Sequence, residues 1–304
     1  RIIPAYWFNL LLCTLVALWV FDLNINWWRL ISGLLFINSY HYSSFFPAEL
    51  NGPLWSIGLE VSCYLLLPVV LLLITKSTKR VPVAFAGIIS CIFALQILNP
   101  WVINNFMTSN KLKGWQYGLV GGAKQWLPYW NIDTFFTQFL CGSLAALIIV
   151  VLRTRGTMKS STFDFSTVLF AIAAIWLVAI GLEPGAPNSF TKQPYMAPFF
   201  AILMAGVIVS ASLSTQVYKF LDNKLFQWIA KISFSIYLWH MFLIVIIERK
   251  FVSKYLYYGL TDLSEWVMIS SIVLIGSIIL AATSWRFLES PILKSARKLT
   301  TNRV

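Results

Sequence analysis

Long apolar runs broken by short charged connections set the plan of this chain. Eight runs are long enough to cross a bilayer, at roughly 4–21, 53–74, 81–98, 132–152, 166–182, 195–214, 226–247 and 266–288. A span needs about 20 apolar residues. Each run is expected to be helical, because lipid offers a backbone no hydrogen-bond partner outside its own segment. The pattern predicts an all-α, polytopic integral membrane helix bundle, with 1–304 as a single transmembrane domain.

The connections alternate in charge. Lys76, Lys79 and Arg80 follow the second run, Arg153, Arg155 and Lys159 the fourth, and Lys219 and Lys224 the sixth. Lys294, Arg297, Lys298 and Arg303 follow the eighth. Basic residues mark cytoplasmic connections, so these residues and Arg1 are expected on the inner side of a cell's plasma (inner) membrane. An even number of spans brings both ends to that side. Segment 22–52 then lies outside or dips in as a re-entrant element. Its apolar stretch Leu30–Tyr40 is too short to cross, and a ninth span there would invert the charge pattern. The connection 99–131 carries Lys111, Lys113 and Lys124 with Pro100, Gly114, Gly118, Gly121 and Gly122. Its length suggests a functional lid rather than a connector. No soluble domain, low-complexity tract or internal repeat stands out.

Composition supports this reading. The chain is 59% hydrophobic and 11% charged, against about 25% charged in soluble domains. Its many Trp, Tyr and Phe residues suit the membrane interfaces. The net charge of +12 sits in the connections, where it sets topology and meets anionic lipid rather than nucleic acid. Cys13, Cys63, Cys91 and Cys141 all fall in apolar runs, so a disulfide framework is not expected. No Cys/His cluster suggests a metal, and no Gly-rich phosphate loop is present. Arg1-Ile2-Ile3-Pro4 does not read as an initiator region, and the expectation is a chain truncated at its N-terminus.

Three segments carry polar groups into apolar runs. In Pro53–Pro68, Glu60 is an ionisable residue within a span, a functional candidate because a charge in hydrocarbon is costly. Tyr64 follows four residues later on the same helix face, and Ser56 can add a hydrogen bond. A structural ion-pair role for Glu60 is the competing reading. Trp55 reads as a packing or interface aromatic. In Lys231–His240, helical spacing places Ser233, Tyr237 and His240 on one face, lining a cavity or a helix interface. His240 is equally a structural histidine or a proton relay. In Thr283–Pro291, Arg286 and Glu289 are three apart and can pair locally. Pro291 disfavours helix at Ser290, so the last span is expected to stop there. Arg286 could still bind an anionic donor. Asp133 reads as a solvated end residue.

Together these segments resemble the acyltransferase 3 family of polytopic membrane O-acyltransferases. The family pattern P-L-W-S-L-S-x-E-x-x-x-Y-x-x-x-P is matched at Pro53, Leu54, Trp55, Ser56, Glu60, Tyr64 and Pro68. Its S-Y-S-L-Y-L-W-H segment is matched by Ser233-Phe234-Ser235-Ile236-Tyr237-Leu238-Trp239-His240. Its terminal Y-R-F-[IV]-E-x-P is matched by Trp285-Arg286-Phe287-Leu288-Glu289-Ser290-Pro291. The opening Arg1-Ile2-Ile3-Pro4-Ala5-Tyr6 looks like the end of the R-x-x-R-I-x-P-x-Y segment. The common E-E-Q-F-Y form is not kept, since Val61, Ser62 and Cys63 stand for E, Q and F.

The resemblance implies ten spans, with an Arg and a catalytic His on the first and an F-F-x-x-S-G segment on the second. It therefore implies two helices missing here, and a principal catalytic histidine other than His240. It also implies transfer of an acyl group, usually acetyl, from a cytoplasmic donor such as acetyl-CoA to a hydroxyl of a lipid-linked or cell-surface glycan, with glycan-assembly proteins as possible partners. Arg1 would hold a CoA phosphate. Glu60 and Tyr64 would act near the acceptor or orient the catalytic base, and His240 would shape the same cavity. Trp55, Ser56, Tyr237 and Arg286 are the substrate-binding candidates. The alternative from another class is a secondary transporter or flippase for a glycan-related substrate, although the interrupted helices at matched positions that many transporters show are not seen. A non-catalytic membrane partner in glycan assembly is a third reading.

Overall fold

The computed structural model describes residues 1–41, 43–77, 80–106, 131–181, 193–250 and 263–301. These form helices and turns, with no strand among the described residues. Helices α1 (Ile2–Trp19), α2 (Trp27–Leu34), α3 (Trp55–Ser77), α4 (Val81–Phe106) and α5 (Ile132–Thr154) come first. Helices α6 (Ser161–Gly181), α7 (Gln193–Leu213), α8 (Gln216–Leu221), α9 (Lys224–Lys250), α10 (Leu263–Ser284) and α11 (Ser290–Thr301) follow. Seven helices are long and apolar enough to cross a membrane: α1, α3, α4, α5, α6, α9 and α10. The remaining predicted span corresponds to α7, whose described apolar part is Pro198–Leu213. The chain divides into two compact units, Arg1–Gly58 with Lys224–Val304, and Leu59–Asn223.

In the first unit, α1 packs on α2 and α9, and α9 on α10. Segment 22–52 does not cross. Asn26 caps α2 by accepting from the Trp28 and Arg29 amides, and eight residues give a helix of only about 12 Å. The helix lies on α1, where the Tyr6 hydroxyl donates to the Gly33 carbonyl (3.1 Å) and the Trp7 indole to that of Leu34 (3.0 Å). Beyond it, Arg29 pairs with Glu49 (2.5 Å) and donates to the Phe46 carbonyl (2.5 Å), while Phe45, Ala48 and Leu50 are buried.

The last span does not stop at Ser290. A π turn, Trp285–Glu289, joins α10 directly to α11. The Ser290 amide bonds the Trp285 carbonyl, five residues back. The next residue, Pro291, has no amide to donate, and its ring would crowd the carbonyl four residues before it. The widened turn absorbs that defect and lets the helix continue into the basic segment with Lys294 and Lys298.

The second unit takes up α3 from Leu59 and contains α4–α8. Its core is Cys63, Ile88, Ile92, Phe136, Leu140 and Cys141. All four cysteines are free. Helix α4 runs to Phe106 through Pro100, well past the expected end near 98. Its Asn99 accepts from Asn131 (2.5 Å) and donates to Thr134 (3.4 Å), and Asn131 in turn caps α5. The rest of the expected lid, 107–130, lies outside the described residues. Helix α6 begins five residues before the apolar run because Asp164 has work in its first turn. The carboxylate accepts from the Thr215 hydroxyl (2.5 Å) and from the amides of Thr215, Gln216 and Val217, which caps α8. Asp133, in the first turn of α5, is half-buried rather than fully solvated.

Helices α6 and α7 approach closely where α7 has no side chain. A Cβ on Gly206 would lie 2.8–2.9 Å from three atoms of the Phe170 ring. Small residues let membrane helices meet backbone to ring in this way. Gly206→Val is expected to destabilise the second unit by about 1–3 kcal/mol, as overpacking does. A lowered thermal unfolding midpoint in detergent checks this, and Phe170→Leu in the same chain should restore part of it.

Candidate functional site

The polar residues of the first unit form a seam through its apolar helices. At one end stands Glu289, whose side chain is fully buried. Its Oε2 accepts from Arg1 Nε at 2.8 Å. Its Oε1 accepts from the Ser235 hydroxyl and, at 3.4 Å, from that of Ser284. Arg1 is held further by a bond from Nη2 to the Lys231 carbonyl (2.5 Å), with its guanidinium 5.0 Å from the Trp285 ring centre and 5.9 Å from that of Phe234. The guanidinium keeps its Nη1 hydrogens unengaged among the described residues, and 28% of the side chain stays accessible. The local Arg286–Glu289 pair expected from spacing does not form. Arg286 is exposed and lies 5.5 Å over the ring of its neighbour Phe287. The π turn removes the α-helical register on which that expectation relied.

Midway along the seam, Asn9 and Asn51 both donate to the Leu238 carbonyl (3.2 and 2.8 Å), and Asn51 also donates to Asn9 Oδ1 (2.8 Å). Both asparagines are fully buried. They tie α1 and the turn Gly52–Leu54 to α9, with no charge involved.

The third cluster joins three of the predicted residues, Ser56, Tyr237 and His240. The Tyr237 hydroxyl lies 2.7 Å from the Ser56 hydroxyl and donates to the Pro53 carbonyl at 2.7 Å. His240 Nδ1 lies 2.7 Å from the Tyr237 carbonyl, with the two rings 5.6 Å apart. A carbonyl only accepts, so Nδ1 carries a proton, and in the neutral ring Nε2 keeps the lone pair. Tyr237→Phe should cost about 1 kcal/mol, because it removes one hydroxyl from a part-buried pair. An unfolding midpoint equal to that of the unsubstituted protein would show that the pair holds nothing. Trp55 stacks on Phe45 at 5.0 Å, a packing contact. Ser233 does not join Tyr237 and His240. It is exposed and donates to its own Ala230 carbonyl, and Ser235 is the inward serine of that segment.

In the second unit, the Tyr64 hydroxyl donates to Glu60 Oε1 at 2.7 Å. The Tyr64 ring stands edge-on to Phe139, 5.4 Å away. No cation pairs with Glu60 among the described residues. The structural ion pair that would explain a carboxylate in a span is therefore not found among the described residues, and the Tyr64 phenol orients it.

Sequence reasoning named Arg1, Ser56, Tyr237 and His240, and the structure engages each of them within the first unit. It did not single out Asn9, Asn51 or Ser235. The available signal was the same one that flagged Glu60, a polar side chain inside an apolar run. Periodicity alone could not say which polar residues face inward.

The sequence model of the acyltransferase 3 family, described as an acyltransferase domain, matches residues 1–282. A Staphylococcus aureus (strain COL) protein named "Putative O-acetyltransferase" is 26% identical over 277 residues, covering 90% of this chain and 40% of that protein. O-acetyltransferase OatA of Staphylococcus aureus (strain NCTC 8325 / PS 47) is 24% identical over 278 residues, again 90% of this chain and 40% of the relative. The chain thus spans about two fifths of the length of these relatives. No solved structure matches it. With the family model covering nearly the whole chain, the chain belongs to the acyltransferase 3 family.

Proposed function

We propose that this chain works as a membrane O-acyltransferase that moves an acyl group, acetyl in the first instance, from a cytoplasmic acyl-CoA to a hydroxyl of a cell-surface or lipid-linked glycan, in the cell's inner membrane. The observation that carries the reading is Glu60. It is a carboxylate inside a span with no cation partner among the described residues, oriented by the Tyr64 hydroxyl. A structural charge in lipid is normally paired, and an unpaired one is retained for what it does. The relatives' names supply the acetyl group and the oxygen acceptor.

The reaction forms a bond between the acceptor oxygen and the acyl carbonyl carbon and breaks the carbon–sulfur bond of the thioester. The acceptor proton passes to a base, and the thiolate leaves with the carrier. Glu60 serves that proton transfer, either directly or by orienting another base. Arg1, pinned by Glu289 and with Nη1 hydrogens to spare, binds a phosphate of the carrier. The Ser56 and Tyr237 hydroxyls contact the acceptor, and exposed Arg286 offers a second anion contact for the donor.

The test is mass spectrometry of cell-surface glycans with the full-length gene intact and deleted. Loss of an acetyl-sized mass from one sugar on deletion supports the proposal and names the acceptor. Unchanged masses with an altered amount of surface glycan would replace it with a transport role.

A further inference from the structure

Helices α9 and α10 do not close against each other along their whole length. Between them lies a groove of about 500 Å³, within the range of small-ligand sites of about 300–1,000 Å³. Ile236, His240 and Ile244 line it from α9, and Trp266, Ser270 and Ser277 from α10. The walls are mostly apolar, and the groove runs along two segments long and apolar enough to cross a membrane.

Ser277 is the anomaly in it. The side chain is 1% exposed, and its Oγ has no hydrogen-bond partner among the described residues. Hydroxyls in apolar helices ordinarily bond back to the carbonyl four residues earlier. Thr14, Ser143, Ser210 and Thr283 of this chain all do so, at 2.7–3.0 Å. Ser277 forgoes that bond in a place where an unmade one is costly. Across the groove stands His240, whose Nδ1–H is committed to the Tyr237 carbonyl, which leaves Nε2 as an acceptor. The groove is thus lined by one unpartnered hydroxyl, buried at its wall, and by one histidine with an acceptor nitrogen. A ligand hydroxyl complements both, since it accepts from one group and donates to the other. The rest of that ligand must be hydrocarbon, because the remaining walls are mostly Ile236, Ile244, Trp266, Ile269, Val273 and Leu274.

We propose that the groove between α9 and α10 binds a membrane amphiphile through a single hydroxyl, held by Ser277 and His240, with its apolar chain along Ile236, Ile244 and Trp266. This goes beyond the acyl-transfer reading and does not rest on it.

The experiment is photolabelling of the full-length protein in lipid nanodiscs with two diazirine probes of equal length, a long-chain primary alcohol and the corresponding alkane. The alcohol is expected to label peptides of α9 and α10, with displacement by unlabelled hexadecanol and not by hexadecane. Ser277→Ala should lower that labelling by about 3- to 10-fold, the worth of one hydrogen bond. The same variant should unfold at no lower temperature, because it deletes an unpartnered buried hydroxyl. Equal labelling by the alkane, unchanged labelling in Ser277→Ala, or no labelling of these helices would each overturn the proposal.

Discussion

Glu289→Ala is expected to destabilise the first compact unit by about 3 kcal/mol, the lower part of the range of about 3–5 kcal/mol for breaking a buried ion pair from one side. Three features set the size. The carboxylate is fully buried and makes its bond to Arg1 at 2.8 Å, so nothing in solvent replaces it. Its other oxygen gathers the Ser235 and Ser284 hydroxyls, which lose their acceptor in the same step. The guanidinium left behind keeps the Lys231 carbonyl and two aromatic faces and is 28% accessible, which moderates the loss. Glu289→Gln should fall between, because the amide can still accept while the charge is gone. The decisive measurement is a double-mutant cycle with Arg1→Leu, read as unfolding midpoints in detergent. If Arg1 and Glu289 act as one pair, the double variant Arg1→Leu/Glu289→Leu recovers most of the stability lost by Glu289→Leu alone. Strictly additive effects would mean that the distance records proximity without coupling.

That pair also marks the limit of what the chain's pattern could tell. The apolar runs located the spans, because the bilayer imposes one length and one composition on every helix that crosses it. The ends were less legible. Helices α3 and α9 continue into Lys76 and Lys250, and α4 continues through Pro100, because a helix may outlast its apolar window. The stop expected at Ser290 failed because the proline rule assumes α geometry, and a π turn evades it. The pairing of Glu289 failed for a different reason. Helical spacing offers only neighbours three or four residues away, and the actual partner is 288 positions distant. The resemblance had set the opening and closing motifs side by side as separate signatures. The structure shows them as two halves of one contact, with Ser235 of a third motif on the same carboxylate. Asn9 and Asn51 were visible as polar letters in or beside apolar runs, but their shared acceptor, the carbonyl of Leu238, has no signature in sequence at all.

Glu60→Gln should reduce acyl transfer by roughly 10²- to 10⁴-fold, the usual worth of a positioned acid–base group, while leaving the protein inserted and folded. The substitution is isosteric, so packing against Tyr64 is kept, and the amide oxygen can still accept from the phenol. It also removes a charge that has no cation partner among the described residues, from a segment suited to lipid. Discharging such a group relieves a cost. The unfolding midpoint should therefore hold or rise as activity falls, the trade expected where a group is kept for function against stability. A structural carboxylate would behave in the opposite way, losing stability and activity together. Tyr64→Phe separates orientation from proton transfer. It removes the 2.7 Å bond and keeps the ring against Phe139, so transfer should drop by about 3- to 10-fold, the value of one hydrogen bond. The assay is acetyl incorporation into surface glycan by membranes carrying the full-length variants, with thermal unfolding in detergent run on the same preparations. Full activity in Glu60→Gln would remove Glu60 from the reaction, and a lowered midpoint in that variant would return it to the role of structural partner.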